Sequence, residues 1–450
     1  MKTWNELNHE AEELFIASEF HHAAKIWDQL IAERPEEPYP IYALGNVMAA
    51  MGNDGGAIVL LRQAASMTPA NSHILAALGS VLRKNEHYDA ARFCCERALT
   101  LDPENKAALK GLSGSYVNQG NPLPGIEIAR QSLALYPEFH DARNDLGLLL
   151  LEAGQWEEGW ACYRNRSKLP GYHVRDYGAV PRWNGERVSR LALHAEQGLG
   201  DELLFASCLP DVLRDVDSVA VEVNERLIPI FARSFPAVRF YPNHASLLAG
   251  EIYIDAWERL GDLPGRYRPN PWACPGTPYL KADPVKVIGY QARLAALGPP
   301  PYIGIAWIGG SRATHESLRI APKDEWKKIV AAPGTKISVQ YGPRAAGNAK
   351  EFGIPHWPGA IDDLDEFAAL LCALDLVVTV CQTAVHFAGA LAVPCWVATP
   401  SKPAWRYGLT GSIMPWYRSA RLFRQNGDDW GAVFDAMASE MDGRQKVAAE

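Results

Sequence analysis

Three loops, each placed between an apolar run and a helical pattern, carry the residues of this sequence that could do chemistry. The first is AEQGLGDE at residues 195–202. Gly198 and Gly200 permit a tight turn and the close approach of a ligand, and the helix start that follows offers free N–H groups. Asp201 would lie at this helix start, where a carboxylate can accept a proton from an attacking hydroxyl. An aspartate that only caps the helix is an equally common alternative.

The second loop, IGGSRATHESLRI at residues 308–320, also follows an apolar run. It combines flexible glycines, hydroxyl donors and guanidinium groups, namely Gly309, Gly310, Ser311, Thr314, Arg312 and Arg319. Such donors match phosphate oxygens, and a departing pyrophosphate needs them because negative charge builds on it in the transition state. A solvated polar loop is the alternative. The sequence has no Gly-Lys-Ser or Gly-Lys-Thr, so the loop is not a Walker motif.

The third loop lies within TVCQTAVHFAGALAVPCW at residues 379–396. Gln382 and Thr383 would occupy the turn into a helix whose free N–H groups favour a phosphate, and His386 in the first turn could donate to a phosphate or sugar oxygen. A structural histidine is the more common alternative. Cys381 has no identifiable base beside it, so we expect a packed thiol and not a nucleophile.

Alternating β-rich and helical segments from residue 191 onward must position these loops. The pattern is typical of parallel sheets covered by helices, and it starts again at residue 302. It predicts two α/β domains in series, with a ligand cleft where the strand C-termini face each other. The predicted strands are 191–196, 218–223, 238–243, 251–257, 302–307, 335–341, 376–380 and 394–399, and the first helix covers 202–216.

The first third of the chain has a different rhythm. Pro35, Pro69, Pro103 and Pro137 are spaced by 34 residues, the period of the tetratricopeptide repeat, which is a helix-turn-helix unit that stacks into a solenoid. Small residues recur in the same register where the helices of a unit cross, at Ala23, Ala57, Ala91, Gly125 and Gly159. Other glycines would end the first helix of a unit, at Gly52, Gly120 and Gly154. These patterns predict a partner-binding array over residues 1–170.

Composition limits the classes of function. The net charge of -8 argues against non-specific attraction to nucleic acid or to an anionic membrane surface. The sequence contains no run of eighteen apolar residues, so no membrane span is predicted. The acidic N-terminal segment does not resemble a signal peptide. The eight cysteines include no Cys-x-x-Cys pair and no zinc-type spacing, so we expect buried thiols and a cytoplasmic location.

Several of these segments together resemble bacterial tetratricopeptide-repeat glycosyltransferases, whose catalytic half is similar to the heptosyltransferase-type family of the GT-B fold. The resemblance covers nearly the whole chain. It is carried by PRWNGE (181–186), HAEQGLGDELLFA (194–206), GIAWIGG (304–310), LCALDLVVTVCQTAVHFAGALAVPCWV (371–397), PAWRYG (403–408) and MPWYRSARLFRQ (414–425). It implies a solenoid over 1–170 followed by two Rossmann-like domains, an acceptor-side domain at 171–285 and a nucleotide-sugar donor-side domain at 286–450.

The resemblance also implies roles for individual residues. It makes Asp201 the catalytic base and places the loop after the first strand of the C-terminal domain near the donor phosphates. The family's late loop is commonly Asp-Thr-Ala-x-x-His; here the histidine is His386, whereas Cys381 and Gln382 occupy the aspartate and threonine positions. This departure bears on which donor sugar is accepted, or on whether transfer occurs at all.

Aromatic residues near the C-terminus form a further candidate group. Trp405, Arg406 and Tyr407 are expected to contact the donor, with an aromatic ring stacking on a base or a sugar. Trp416 and Tyr417 are expected instead to pack in a C-terminal helix that crosses back to the N-terminal α/β domain. No Asp-x-Asp metal motif lies near a strand end, so the predicted mechanism needs neither a metal nor another cofactor.

The sequence therefore predicts an inverting glycosyltransferase that moves a sugar from a nucleotide-sugar donor to a protein or peptide selected by the repeats, a surface-appendage subunit being one example. A repeat scaffold with a degenerate, inactive transferase region is the alternative, favoured by Cys381 and Gln382. A dinucleotide oxidoreductase is disfavoured because the first loop lacks Gly-x-Gly-x-x-Gly. No nucleic-acid partner is expected, and the repeats leave room for a homo-oligomer.

Overall fold

The helices of the first third pair in the register that the prolines predict. A computed structural model describes residues 2–251, 253–310 and 316–449, and the chain divides into two units, Met1–Leu150 and Leu151–Glu450. The first unit is an all-helical tetratricopeptide solenoid. Its helices are α1 Trp4–Ile16, α2 Phe20–Glu33, α3 Pro38–Ala50, α4 Asp54–Met67, α5 Ser72–Lys84, α6 Tyr88–Leu101, α7 Lys106–Gly114, α8 Leu123–Leu135 and α9 His140–Glu152.

Each of the four prolines lies one residue beyond the C-cap of the second helix of a pair. The residue that ends the first helix adopts a left-handed backbone at every 34-residue step, with φ between 63° and 79°. Glycine occupies three of these positions, as predicted, but Ser18 and Glu86 occupy the other two. The 34-residue register of the repeats thus depends on a left-handed backbone conformation, which glycine adopts most easily but which serine and glutamate also adopt here.

Two sheets form the second unit, which opens with α10 Trp156–Tyr163. The first sheet is parallel, with the strand order β3-β2-β1-β4. Its strands are β1 Leu191–His194, β2 Val219–Glu222, β3 Val238–Tyr241 and β4 Ala256–Arg259. The helices in this part are α11 Leu199–Ala206, α12 Leu209–Asp215, α13 Ile228–Ser234, α14 His244–Gly250 and α15 Pro264–Tyr267.

The second sheet has the order β6-β5-β7-β8-β10-β9 and is parallel except for its edge strand β9. Its strands are β5 Tyr302–Ala306, β6 Thr335–Ser338, β7 Leu376–Val380, β8 Cys395–Thr399, β9 Ile413–Met414 and β10 Tyr417–Arg424. The helices are α16 Pro284–Ala295, α17 Lys323–Ala331, α18 Ala345–Glu351, α19 Pro358–Asp362, α20 Leu364–Cys372, α21 Thr383–Ala390 and α22 Gly431–Ala449.

Three expectations about these elements were wrong. The helix predicted over 202–216 is two helices, because the chain turns at Ser207 and Cys208 before α12 begins. The strand predicted over 251–257 is β4, which starts only at Ala256. Trp416 lies in the turn before β10 and Tyr417 begins that strand, so neither is in a helix; β10 instead adds a further parallel strand to β8.

The C-terminal helix α22 covers the second sheet. Phe434 packs edge-on against Trp326 of α17, with ring centroids 4.8 Å apart, in a core that includes Trp307 and Met437. All eight cysteines are free, and six of them are buried. None of the helices in the described ranges combines the length and apolar character that a membrane crossing requires. The predicted domain boundaries at residues 170 and 285 stay predictions.

The close helix crossing within the third repeat can be tested at Gly79. A Cβ added there would lie 2.5 Å from Cys95 Sγ and 3.2 Å from the Ala91 carbonyl oxygen. We expect Gly79→Val to lower the free energy of unfolding by about 2–3 kcal/mol, because overpacking forces α5 and α6 apart. Gly55→Val, at an exposed helical position with nothing within 4 Å of the added Cβ, is the control. Equal urea midpoints for the two variants would contradict this account of the repeat.

Candidate functional site

The loop after β1 delivers the start of α11 to a cavity. Gly198 is the N-cap residue and makes no side-chain cap, since glycine has no side chain to offer to the first turn. The N–H groups of Asp201 and Glu202 donate to the Gly198 carbonyl at 2.8 and 3.0 Å. The earlier first-turn amides, those of Leu199 and Gly200, are the ones that the helix cannot satisfy internally. A helix start of this kind attracts negative charge.

A second helix start, that of α21, opens into the same cavity. Its N-cap residue Gln382 has an extended backbone and makes no cap; its side-chain amide donates instead to Thr379 Oγ1 at 2.7 Å. Gln382 Oε1 is buried and has no hydrogen-bond partner in the part of the chain that the structure describes. Two uncapped helix starts, each belonging to a helix of eight residues, therefore converge on one space.

The cavity has a volume of about 220 Å³ and combines residues from all three predicted loops. Its lining contains two guanidinium groups, one carboxylate, three residues with a hydroxyl group and an imidazole, together with three glycines. The lining residues are Gly198, Leu199, Gly200, Asp201, Gly310, Arg319, Tyr341, Cys381, Gln382, Thr383, His386, Arg406 and Tyr407. The predicted donor-binding residues are therefore largely brought together.

Asp201 forms an ion pair with Arg406 across this cavity. About a fifth of each side chain is exposed, so the pair is reached by solvent from the cavity. The Arg406 guanidinium also lies 5.0 Å from the ring centroid of Trp405. Asp201 thus supplies the negative charge in a cavity whose other charged groups are two arginines and the starts of two helices.

His386 faces the other helix start at close range. A Cβ added to Gly200 would lie 3.1 Å from His386 Cδ2 and 3.6 Å from Thr383 Oγ1, so the absence of a side chain at Gly200 lets the two helices approach. The imidazole Nδ1 is 3.2 Å from the Tyr417 hydroxyl. Burial lowers the pKa of His386 to about 3, with help from the nearby Arg406 and Arg319 charges, so the imidazole is neutral at physiological pH.

The second predicted loop lies closely against the third. A Cβ added at Gly309 would lie 2.5 Å from Gln382 Cβ, and Gly310 has a φ of 86°. Both positions therefore need glycine, one for close approach and the other for its backbone conformation. Arg319 donates to the Cys381 carbonyl at 3.3 Å. Ser311, Arg312 and Thr314 lie outside the described residues.

Cys381 and Tyr407 lie buried at the base of the cavity. Burial raises the pKa of the Cys381 thiol to about 11, so the thiolate needed for a nucleophile is scarce at neutral pH. Burial also raises the pKa of Tyr407 well above its usual value, so its hydroxyl stays protonated. Both groups are neutral hydrogen-bonding groups in this site.

Trp405 does not line the cavity, unlike its neighbours Arg406 and Tyr407. Its buried ring packs edge-on against Trp160 of α10, with centroids 5.2 Å apart, and close to Trp416 at 6.2 Å. Trp416 in turn stacks on Trp156 at 5.4 Å. This aromatic cluster supports the loop that carries Arg406, and Trp405 is buried in it outside the lining of the cavity.

Two contributors were not selected from the sequence. Tyr341, which follows β6, lines the cavity. Arg424, at the end of β10, donates to the carbonyl groups of Tyr407, Gly408, Thr410 and Gly411 at 2.6–3.0 Å and so fixes the loop after Arg406. In the sequence, Arg424 is recognisable only as a charged residue at the end of an apolar run. Many surface strands end in this way, so the pattern does not indicate a functional residue. Within the described ranges, no group of three or more His, Cys, Asp or Glu residues is arranged to hold a metal ion.

Comparisons with known proteins support the repeats and one relationship that extends over most of the chain. The tetratricopeptide repeat family profile matches residues 72–105, which contain α5 and α6. Protein FlbA of Caulobacter vibrioides is 28% identical over 434 residues, covering 89% of this chain and 72% of FlbA. The homology to FlbA therefore includes both the repeats and the α/β region.

Solved tetratricopeptide-repeat structures resemble about a third of the chain. MamA residues 41 to the end from Desulfovibrio magneticus RS-1 is 18% identical, with a TM-score of 0.32, and the match covers 37% of this chain and 92% of that one. A thermophilic TPR protein of Thermus thermophilus is 17% identical, with a TM-score of 0.33 and the same two coverages.

The buried neutral state of His386 predicts a pH dependence of stability. The unfolded chain binds a proton at this residue near pH 6.5, whereas the folded protein does so only near pH 3. The free energy of unfolding therefore falls as the pH decreases through this window, by about 1.4 kcal/mol per pH unit for one proton. Urea unfolding at several pH values between about 7.5 and 4.5 should show a shallower fall for His386→Gln than for the wild type.

The exposed His21→Gln variant removes a histidine from the first unit and is expected to keep the wild-type dependence. Superimposable pH profiles for His386→Gln and the wild type would mean that this imidazole is already protonated in the folded protein.

Proposed function

We propose that the α/β part of this chain is an inverting, metal-independent glycosyltransferase of the GT-B type. It would transfer a sugar from a nucleoside-diphosphate donor to a protein acceptor selected by the repeats. One observation carries the proposal: two uncapped helix starts, Arg319 and Arg406 line one cavity with the carboxylate of Asp201. A diphosphate leaving group needs such positive surroundings, and an attacking hydroxyl needs such a base.

The proposed reaction assigns one role to each side of the cavity. Asp201 accepts the proton of the acceptor hydroxyl, and the hydroxyl oxygen forms a bond to the anomeric carbon of the sugar. The bond from that carbon to the diphosphate breaks, and its electron pair leaves with the diphosphate. The arginines and the starts of α11 and α21 stabilise this charge, while neutral His386 and Thr383 can donate hydrogen bonds to phosphate or sugar oxygens.

The ion pair between Asp201 and Arg406 gives the proposed reaction an order. The guanidinium of Arg406 holds the carboxylate of Asp201 in an ion pair, so the carboxylate is engaged before a donor competes for Arg406. A diphosphate carries more negative charge than one carboxylate and competes for Arg406. Donor binding would therefore release Asp201 for the acceptor, so the base is active only when a donor is present.

The repeats support a protein acceptor. A tetratricopeptide solenoid is a stack of helix pairs that presents an extended surface, and such surfaces bind polypeptides. One repeat is matched by its family profile, and FlbA aligns over both parts of the chain. Selection of the acceptor by the first unit is thus part of the proposal, and no other cofactor is required by it.

Catalysis can be tested by incubating the full chain with UDP-, GDP- and dTDP-sugars and measuring nucleotide release. Release from at least one donor is expected, and Asp201→Asn should reduce it by about 10²–10⁴-fold because the base is lost. Cys381→Ser is the matched control for a nucleophile in the same cavity, and it should retain activity. If no donor is bound or turned over, the glycosyltransferase proposal is wrong and an inactive repeat scaffold is favoured.

The anion site can be tested without a known donor by titrating the protein with inorganic pyrophosphate in a calorimeter. Arg406→Gln and Arg319→Gln should each weaken binding by about tenfold, the effect of one charge-assisted contact. Asp201→Asn should bind as well as the wild type or better, because it removes the competitor for Arg406. Arg421→Gln, an exposed arginine of β10 paired with Glu440, is the control. Equal affinities for all four variants would contradict the assignment of the cavity.

A further inference from the structure

The helix α10 contacts both of the loops that carry the ion pair of the cavity. Gly159 continues the 34-residue register of Gly125, so the sequence pattern makes α10 the second helix of a repeat, yet α10 belongs to the second unit. A Cβ added to Gly159 would lie 3.0 Å from Leu151 Cδ2, so α10 packs closely on the end of α9. Trp160 and Tyr163 of α10 are buried, and neither lines the cavity. They can therefore act on the cavity only through other residues.

Tyr163 anchors the loop after β1. Its hydroxyl accepts from Gln197 Nε2 at 2.6 Å, and Gln197 precedes Asp201 in that loop. Arg166, just beyond α10, donates to the Tyr163 carbonyl at 3.1 Å and to Glu196 Oε1 at 3.1 Å. Two consecutive residues of the loop are thus held by α10 and the segment that follows it. Burial raises the pKa of Tyr163, the charge of Arg166 opposes this and the charge of Asp201 reinforces it, so the hydroxyl stays protonated close to the proposed base.

Trp160 supports the elements on both sides of the ion pair. Its ring packs edge-on against Trp405, with centroids 5.2 Å apart, and Trp405 directly precedes Arg406. The same ring packs edge-on against Phe205 at 6.5 Å, in the helix α11 whose first turn contains Asp201. The indole N–H of Trp160 donates to a backbone carbonyl at 2.9 Å, which fixes the orientation of the ring.

The geometry of the ion pair depends on what holds its two loops, because Asp201 and Arg406 are remote in the sequence. A base must lie within hydrogen-bond reach of the proton that it accepts, and a displacement of about 1 Å can cost roughly 10²-fold in rate. A buried hydroxyl also needs a hydrogen-bond partner, and Tyr163 finds one in the loop of the proposed base. The contacts of α10 are therefore suited to positioning, in addition to filling a core.

We infer that α10 is part of the transferase site and that two of its side chains are positioning residues, Tyr163 for the base Asp201 and Trp160 for Arg406. This inference rests on the proposed function, because it assigns roles in the same reaction. It goes beyond that function by giving a helix of the repeat pattern a direct part in the chemistry. Tyr163 is expected to act on the rate of transfer, and Trp160 on the binding of the diphosphate.

The first experiment measures hydrogen–deuterium exchange of the ligand-free full chain. Tyr163→Phe keeps the ring and removes the hydroxyl that accepts from Gln197, so the amides of residues 195–202 should exchange about fivefold faster, the effect of one neutral hydrogen bond. Tyr290→Phe is the matched control, since Tyr290 is also buried and its hydroxyl donates to Glu366 at 2.9 Å. This control should leave exchange at residues 195–202 as in the wild type.

The second experiment measures nucleotide release by the same proteins. Tyr163→Phe should lower kcat about fivefold and leave the KM for the donor unchanged, because the base is displaced and the donor site is not. In an Asp201→Asn background it should cause no further loss, which a general loss of stability would not explain. Trp160→Phe should instead weaken pyrophosphate binding about fivefold, because the smaller ring withdraws from Trp405 and has no N–H to donate.

The possible outcomes separate this inference from the proposed function. If the wild type releases nucleotide from no donor, the proposed function fails and the inference falls with it. If the wild type is active but Tyr163→Phe changes neither the exchange at residues 195–202 nor kcat, the inference fails alone. An equal further loss in the Asp201→Asn background would also overturn it, and unchanged pyrophosphate binding by Trp160→Phe would overturn the role of Trp160. Tyr163→Phe keeps the inference testable if Trp160→Phe folds poorly.

Discussion

The unsatisfied first-turn amides of α11 and α21 are the constraint on which the α/β unit depends. Each helix start carries a partial positive charge, and two of them meet in one cavity with two arginines. Such an arrangement is unfavourable unless negative charge is supplied. Asp201 supplies it through its ion pair with Arg406, and in the proposed complex a diphosphate would do so. The need for negative charge in this cavity therefore explains both the ion pair in the structure and the diphosphate in the proposed reaction.

The approach of the two helices is made possible by the packing behind them. Gly200 leaves room for His386, and Gly389 leaves room for Tyr417, whose ring would lie 2.1 Å from an added Cβ. Tyr417 contacts His386 and, at 3.2 Å, the hydroxyl of Tyr279. Residues far apart in the chain thus fix one imidazole whose burial keeps it neutral. This arrangement makes His386 a dependable hydrogen-bonding group and a poor acid.

The sequence was informative where a local rule determines the outcome. A fixed proline spacing and small residues at helix crossings predict the repeats. An apolar strand followed by glycines predicts the first two loops of the cavity, and an apolar strand that turns directly into a helix start predicts the third. Trp405 shows the limit of such rules, because an aromatic residue beside two others can stack on a ligand or pack in a core. Only the position of Trp160, contributed by α10 before the first sheet, decides between these outcomes. Likewise, the arginines within β10 made the strand hard to recognise from the sequence, because its buried residues are defined only by its pairing with β8.

The pair formed by Asp201 and Arg406 also joins the two sheets, since one residue follows β1 and the other follows β8. Dissolved ions screen a partly exposed pair of this kind, over a distance of about 8 Å at physiological ionic strength. The width of the cleft in the resting protein should then respond to salt, with a more open cleft in concentrated solution. Ionic strength would thus weaken the pair between Asp201 and Arg406 non-specifically, as the proposed diphosphate donor would do by binding.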